Sequence, residues 1–146
     1  MIRIAQTVDV KNIVKLIQFY MNDIVINESG RCHFSEEIIS SLLDRKDVHY
    51  YVYEEAGRLC AVIAYKEPNY VLHFFVDNTF KGVRLGRRLW VFIEAELMKQ
   101  NVENVTVNSS VYAQPIYEKF GFKAVLKMVE EHGLRFIPML KNMNKN

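Results

Sequence analysis

Apolar residues along this chain follow two spacings, one typical of strands and one typical of helices. The clearest strand is Tyr70–Val76, an apolar run rich in aromatic and β-branched residues that predicts a buried strand. A short turn follows, and from Leu85 to Gln100 the apolar residues recur at helical spacing. One face of this helix would carry Leu85, Leu89, Phe92, Ile93 and Leu97. This strand–turn–helix unit is the predicted centre of the fold.

The pattern before this unit predicts a strand, two helices and a β-hairpin. Ile2–Ala5 is the strand. Thr7 or Asp9 can cap the first helix, and Ser35 can cap the second. Between the helices, Asn22–Phe34 has no periodicity and is predicted to be a loop. The apolar stripes are Ile13, Leu16, Ile17 and Tyr20 in the first helix and Ile38, Ile39, Leu42 and Leu43 in the second. The hairpin strands are His49–Glu54 and Leu59–Lys66, with Gly57 near their turn.

The pattern after the central unit predicts a strand, a short helix and a second hairpin. These elements are Asn104–Asn108, Pro115–Phe120, and the strand pair Lys123–Glu130 and Leu134–Leu140. Gly121 stands where a helix C-terminal cap prefers glycine. The complete order is strand, two helices, three strands, helix, strand, helix and two strands. It predicts an α/β protein with a mixed sheet, one domain spanning residues 1–146, and a frayed polar tail from about residue 142.

Composition and charge narrow the class of protein. Half of the 146 residues are apolar, which suffices for one domain with a substantial core. A net charge of +2 is too small to indicate nucleic acid as a general partner. The longest apolar runs have strand length and the N-terminus lacks a signal-peptide pattern, so we expect a cytoplasmic protein with no membrane partner. Cys60 lies in an apolar strand and is predicted to be buried, and Cys32 lacks the companion ligands of a zinc site, so we expect reduced thiols and no metal site.

Positive charge is concentrated between the central strand and helix. Residues 81–88 read Lys-Gly-Val-Arg-Leu-Gly-Arg-Arg, with four cations and two glycines. Glycine permits close approach of a ligand, and the first turn of a helix offers free N–H groups and a positive dipole. This combination indicates an anion site, most simply for phosphate, although a solvated helix start would show the same residues. The dinucleotide and nucleoside-triphosphate motifs do not fit this segment.

The segment resembles the acyl-CoA loop of the GCN5-related N-acetyltransferases (the GNAT superfamily), whose signature is roughly [Q/R]-x-x-G-x-[G/A]. In this register the signature begins at Lys81, five residues after Val76, and ends at Gly86. Lys81 stands where Gln or Arg is usual, and Arg84 stands where the first glycine is usual. The loop is therefore an imperfect copy of the signature.

A second segment resembles the same family. Asn108–Phe122 is similar to the N…A-x-x-x-Y-x-x-x-G-F segment that follows the fifth strand of GNAT enzymes, with Ala113, Tyr117 and Gly121 in register. The predicted order of elements is also the GNAT order. The resemblance thus covers essentially the whole chain and implies the GNAT acyl-CoA N-acyltransferase fold.

The resemblance implies an N-acetyltransferase that moves the acetyl group of acetyl-CoA to a primary amine by direct attack in a ternary complex. The pyrophosphate of acetyl-CoA would bind the backbone amides of residues 82–87. The pantetheine arm would add beside Phe74–Val76, with Asn108 near the arm and Tyr117 near the sulfur. The implied cofactor-binding residues are Phe74, Phe75, Val76, Lys81, Gly82, Val83, Arg84, Leu85, Gly86, Arg87, Asn108 and Tyr117.

Tyr117 is the implied catalytic residue, because a tyrosine hydroxyl can give the departing CoA thiolate a proton or a hydrogen bond. The alternative is a tyrosine that only packs its ring in the core. No general base is assigned. The position where some family members carry a glutamate is Tyr70 here, and alternation along the strand predicts that His73 faces the other side. A histidine in such an apolar run is more often a packed core residue.

The acceptor amine, a small molecule or a peptide, is not identified by the sequence. Loop 22–34 and the turn Glu130–Gly133 are predicted to form the rim of its site, since loops on a rigid scaffold carry specificity. An acyl-CoA-binding regulatory module without turnover stays open because Arg84 replaces a glycine. A nucleic-acid binder is the weakest alternative, because residues 81–88 contain no interleaved aromatic residues. Whether a second copy of the chain is a partner also stays open.

Overall fold

The predicted strands and helices form one mixed sheet with helices on both faces. The computed structural model describes residues 1–80 and 84–143. The strands are β1 (Ile2–Ile4), β2 (Val48–Glu55), β3 (Arg58–Lys66), β4 (Tyr70–Val76), β5 (Asn104–Ser109), β6 (Lys123–Ala124), β7 (Val129–Glu131) and β8 (Leu134–Asn142). The helices are α1 (Val10–Gln18), α2 (Glu28–Arg31), α3 (Glu36–Asp44), α4 (Leu85–Lys99) and α5 (Gln114–Lys119). The α/β class and the GNAT order of the main elements are confirmed.

The sheet is antiparallel except at its centre. Its strand order is β1-β2-β3-β4-β5-β8-β6, and β7 also pairs with β8. The strands β1 to β4 pair in sequence as antiparallel neighbours. The next pair, β4 and β5, is parallel and is connected through α4. This parallel pair places the start of α4 beside the C-terminal end of β4.

Two hydrophobic cores lie on the two faces of the sheet. One contains the stripe of α4, in which Leu89, Ile93 and Leu97 are fully buried. The other contains α1 and α3, with Ile13 and Ile39 fully buried. Each such side chain contributes about 1.5–3 kcal/mol when it leaves water. The apolar stripe therefore fixes α4 against the sheet and, with it, the position of the first turn of the helix.

The predicted strand 123–130 is divided in the structure. Ala124 pairs with Met139, and Val129 pairs with Phe136. The chain therefore advances by five residues from β6 to β7 while its partner β8 advances by only three. The excess cannot stay in a regular ladder, and residues 125–128 leave the sheet. All four of these residues are exposed, among them the apolar Val125, Leu126 and Met128.

The predicted loop 22–34 contains ordered helical turns. Asn27 accepts a hydrogen bond from Gly30 N at 3.0 Å and caps α2, which is too short to produce a periodic pattern. Tyr20 was expected on the stripe of the first helix, but α1 ends at Gln18. Asn142, expected in the frayed tail, pairs with Asn104 at the end of β8, whereas residues 144–146 lie outside the described part.

Within residues 1–80 and 84–143, no helix is long and apolar enough to cross a membrane. The cytoplasmic location stays a prediction. Both cysteines are free thiols: Cys32 is exposed, and Cys60 is buried in β3 as expected. The same residues contain no group of three or more His, Cys, Asp or Glu side chains that could hold a metal ion.

Candidate active site

The parallel strands β4 and β5 separate after a short contact. Their pairing is limited to Tyr70 with Thr106 and Val71 with Val107. On its other edge, β4 stays paired with β3 as far as Val76. We call the unpaired edge of β4, residues 72–76, the open edge. Such an opening at the carboxyl end of neighbouring parallel strands is where α/β sheets commonly bind ligands.

The Val76 carbonyl points into this opening. Asp77 N donates to the Cys60 carbonyl of β3 at 2.8 Å, and the trans peptide directs the carbonyl of Val76 the opposite way. The hydroxyl of Tyr20 donates a hydrogen bond to this carbonyl. Burial raises the pKa of Tyr20, with smaller effects from Tyr112 and Asp77, so the hydroxyl keeps its proton. A ligand that pairs with the open edge must either share this carbonyl with the Tyr20 hydroxyl or displace that hydroxyl.

The start of α4 lies next to the open edge. The bond from Arg88 N to Arg84 O, at 3.1 Å, closes the first turn of the helix. The amides of Leu85, Gly86 and Arg87 precede this bond and have no partner within the helix. These free N–H groups and the helix dipole favour an anion at this end.

Arg84 occupies the cap position of α4 in a left-handed conformation. Its φ is 60° and its ψ is 26°, and its side chain makes no capping hydrogen bond. A residue with a Cβ pays about 1–2 kcal/mol for this conformation, whereas glycine adopts it freely. The geometry explains why a glycine suits this position in the signature and shows that arginine reaches the same backbone shape at a cost.

A cavity of about 220 Å³, the loop-side cavity, lies between the open edge and the start of α4. Its wall includes seven of the residues predicted for cofactor binding: Phe74, Phe75, Val76, Arg84, Leu85, Gly86 and Tyr117. Arg87 and Asn108 do not line it. The predictions for Lys81, Gly82 and Val83 lie outside the described residues.

A second cavity, of about 310 Å³, adjoins the loop-side cavity and shares part of its wall. The residues that line both cavities are Ile24, Phe74, Phe75, Ser110, Ala113 and Tyr117. Asn108 lines the second cavity together with Phe74 and Phe75 of the open edge, and its Nδ2 donates to the Tyr70 hydroxyl at 3.2 Å. Its place near the pantetheine arm stays a prediction. The structure therefore brings two separate binding spaces to one shared wall.

Tyr117 is the titratable side chain of the shared wall. It lies on α5, is 6% exposed, and packs edge to face against Phe74 and Phe122. Within the described part of the chain its hydroxyl has no hydrogen-bond partner. Burial, and secondarily Tyr70, raises the pKa of Tyr117. The hydroxyl is therefore protonated at neutral pH and can act as a donor toward either cavity.

A β-bulge changes the predicted facing of His73. Tyr65 pairs with Val71 and Ala64 pairs with His73, so Leu72 is an extra residue in β4. The prediction from strict alternation is therefore wrong, because the extra residue returns His73 to the side of Tyr70 and both line the second cavity. His73 is nevertheless a buried core residue. Its Nδ1 lies 2.8 Å from the Tyr50 hydroxyl, and burial lowers its pKa to about 4.

The depressed pKa of His73 predicts an acid-sensitive fold. The unfolded chain takes up a proton below about pH 6.5, whereas the native state resists protonation down to about pH 4. The contribution of neutral His73 to the free energy of unfolding is therefore fully present above about pH 6.5. It falls by about 1.4 kcal/mol per pH unit below that value, or about 3 kcal/mol in total by about pH 4. Urea unfolding at pH 7 and pH 4 should show this extra loss in the parent and not in His73→Gln. Equal losses in both proteins would contradict it.

The two segments predicted as a rim are in direct contact. Ile26 N donates to Gly133 O at 2.9 Å, and Arg135 N donates to Ile24 O at 2.8 Å. A Cβ on Gly30 would lie 1.9 Å from Gly133 O, so this approach requires glycine. His33 of the first segment lines the second cavity, whereas none of the residues Glu130–Gly133 does; Leu134 and Arg135, which follow that turn, line it instead. The role of both segments as the rim of the acceptor site stays a prediction.

Sequence reasoning did not single out Tyr20 or Arg135 for a site. Tyr20 reaches the open edge across 56 positions of sequence, and no local pattern signals such a contact. Arg135 did carry a signal, because it is the single charged residue in the otherwise apolar run Leu134–Leu140.

Comparisons with known proteins agree with this geometry. Residues 26–143 match the family model of the acetyltransferase (GNAT) domain. A search of curated proteins finds no match. The PaiA N-acetyltransferase of Thermoplasma acidophilum, solved in complex with coenzyme A, has a TM-score of 0.77 and 15% identity over 97% of this chain and 98% of that chain.

Two further solved structures share the fold. The ribosomal-protein-S18-alanine N-acetyltransferase of Escherichia coli has a TM-score of 0.74 and 18% identity over 100% of this chain and 95% of that chain. A GCN5-related N-acetyltransferase from Rhodopseudomonas palustris has a TM-score of 0.79 and 18% identity over 97% of this chain and 94% of that chain. The resemblance drawn from the two sequence segments is confirmed, since the family model covers most of the chain: the chain belongs to the GNAT acetyltransferase family.

Proposed function

We propose that this chain transfers the acetyl group of acetyl-CoA to a primary amine by direct attack in a ternary complex. The observation that carries the proposal is the pair of cavities that meet at the wall containing Tyr117. Two substrates held in adjoining cavities, with their reacting groups meeting at the shared residues, can react as if in one molecule. The coenzyme A complex of the similar PaiA enzyme supports CoA as the first substrate.

The loop-side cavity is the proposed site of acetyl-CoA. The free amides of Leu85, Gly86 and Arg87 would bind its pyrophosphate. The pantetheine arm would lie along the open edge like an added strand, where the Val76 carbonyl can accept from an amide of the arm. Residues 81–83 keep their cofactor role as a prediction from the signature.

The chemistry needs no protein nucleophile. The amine nitrogen forms a bond to the thioester carbonyl carbon, and the carbon–sulfur bond then breaks as CoA leaves as a thiolate. Tyr117 would donate a hydrogen bond to this sulfur. Because burial raises the pKa of Tyr117 above that of an ordinary thiol, at about 8.5, the hydroxyl stabilises the thiolate without losing its proton. Solvent then supplies the proton that converts the thiolate into CoA.

No side chain of the described wall of the second cavity is proposed as a base. None of these residues is Asp or Glu. His73 is neutral, but its Nδ1 is bonded to Tyr50 and the ring is buried. The acceptor amine would therefore attack in its neutral form, and water would take the proton that it releases.

Calorimetric titration with CoA followed by a thiol-release assay tests the proposal. The acceptor panel contains polyamines, amino acids, aminoglycosides and peptides with free N-termini. We expect CoA binding together with thiol release that depends on an added amine. CoA binding without release on any amine would favour the regulatory module, and no CoA binding would refute both functions.

Arg84→Gly tests whether arginine impairs the CoA loop. Glycine relieves the left-handed strain but increases the freedom of the unfolded chain, so we expect stability to rise by no more than about 1 kcal/mol. CoA affinity should change by less than about tenfold, or 1.4 kcal/mol. Arg84→Ala keeps the strain and removes the guanidinium, so it separates charge from conformation. A much larger gain for Arg84→Gly would show that Arg84 obstructs the site.

A further inference from the structure

The second cavity contains unbalanced positive charge. Arg135 lines it, and none of the described residues of its wall is Asp or Glu. Residues 81–83 and 144–146, which lie outside the described part of the chain, include no Asp or Glu in the sequence. Glu130 stands opposite Arg135 in the β7–β8 ladder, but no ion pair joins their side chains within the described residues. An acceptor with several ammonium groups would enter this space without counter-charges, which is costly.

Arg135 has hydrogen-bonding capacity that the protein does not use. Its Nε is buried and is the one buried side-chain nitrogen or oxygen, among residues 1–80 and 84–143, without a hydrogen-bond partner. A buried donor without a partner is destabilising. Because the Nε itself is inaccessible, a ligand would meet the other N–H groups of the guanidinium, which make no hydrogen bond or ion pair with the described residues. The backbone of Arg135 is held by β7 and by the bond of its amide to Ile24 O. The guanidinium is thus presented from a rigid element, and a carboxylate is its natural bidentate partner.

One part of the second cavity is apolar, although His33, Tyr70, His73, Asn108, Ser110 and Tyr117 also line it. Side chains from α3, β8 and the rim that line it are Phe34, Ile38, Leu42, Leu134 and Phe136. Surfaces of this kind bind an aliphatic or aromatic body through the area removed from water. A fully polar acceptor such as an aminoglycoside would leave these surfaces without complementary contacts.

We propose that the acceptor is a monoamine with an apolar body and a carboxylate, such as an apolar amino acid, and that Arg135 binds the carboxylate. This inference rests on the proposed function for its amine chemistry. Arg135 is a specificity-determining residue in this scheme, since it holds the acceptor by a group that does not react. The cavity selects against polyamines and aminoglycosides.

Acceptor pairs that differ only in the carboxylate test the inference. The probes are leucine and phenylalanine against leucinamide and phenylalaninamide, with spermidine as a polycation. We expect kcat/KM to favour each acid over its amide by about 10- to 10²-fold, the range for a charge-assisted hydrogen bond. Arg135→Gln should remove this preference, Arg135→Lys should retain part of it, and CoA affinity should hold in both.

Arg31→Gln is the matched control, because Arg31 is an exposed rim cation that pairs with Glu28 and does not line the cavity. Its acid-to-amide ratio should equal that of the parent. An amide or spermidine that serves as well as the acids, or an unchanged ratio in Arg135→Gln, would overturn the inference.

A binding measurement separates this inference from the proposed function. Calorimetry of the CoA-loaded protein with each acid and its amide does not require turnover. Acid binding that Arg135→Gln abolishes, without thiol release on any acceptor, would refute the transferase and support the carboxylate site. A second outcome is that no acid binds and turnover shows no preference for acids, while other amines still give thiol release. That outcome would refute the carboxylate site and leave the transferase in place.

Discussion

Gly86→Val is expected to weaken CoA binding by about 10²-fold, or nearly 3 kcal/mol, while the protein remains folded. A Cβ at this position would lie 3.8 Å from Val76 Cγ2 and 3.9 Å from Phe74 Cζ, which is ordinary contact. The two methyl groups of valine would instead enter the loop-side cavity, at the helix turn proposed to approach the pyrophosphate. Titration calorimetry with CoA measures the effect.

Thermal unfolding supplies the control for this variant. Valine has a better helix propensity than glycine, so stability should change by less than about 1 kcal/mol. Gly86→Ala adds only the Cβ, which the structure accommodates, and should retain most of the CoA affinity. Unchanged CoA affinity in a folded Gly86→Val protein would mean that the ligand binds elsewhere.

Tyr117→Phe is expected to slow the chemical step by about 10²- to 10³-fold, the cost of removing one donor from a developing negative charge. Phenylalanine keeps the ring that packs against Phe74 and Phe122 and removes only the hydroxyl. CoA affinity and thermal stability should change little, because the hydroxyl has no partner within the described chain and matters when charge develops on sulfur.

Single-turnover acetylation is the appropriate measurement for Tyr117→Phe. Product release can limit steady-state turnover and would hide a slower chemical step. Tyr70→Phe is a suitable comparison, since Tyr70 lines the second cavity and bonds to Asn108 but does not line the loop-side cavity. A parental single-turnover rate in Tyr117→Phe would leave Tyr117 as a packing residue.

The contact between Tyr20 and the Val76 carbonyl bears on how acetyl-CoA would enter. The open edge is the proposed track of the pantetheine arm, yet one of its carbonyls already accepts a hydrogen bond. A carbonyl oxygen has two lone pairs, so it can accept from the arm while Tyr20 stays in place. The ring of Tyr20 also packs against Phe75 and Tyr112, which makes it part of the cavity wall.

Elements whose signals are local could be predicted from the sequence alone. The apolar, aromatic and β-branched content of residues 70–76 predicted β4 with its observed ends, and helical spacing predicted α4 from Leu85. Ser35 was predicted as a cap, and its hydroxyl accepts from Ile38 N at 3.2 Å. The family followed from the two short segments, because their residue types stand at fixed distances along one chain. Burial periodicity and capping act over a few residues, so they can be read from the sequence.

The assembly of the candidate site depends on contacts between distant segments and could not be predicted from the sequence. The separation of β4 from β5, the bulge at Leu72 and the contact of Gly30 with Gly133 each depend on the pairing of distant segments. The same holds for Tyr117, whose place between two cavities depends on α5 packing beside β4, and for Arg135, whose unpaired Nε depends on all of its neighbours. Strand register and long-range packing are set by the sum of many contacts across the fold, and no local pattern of residues encodes that sum.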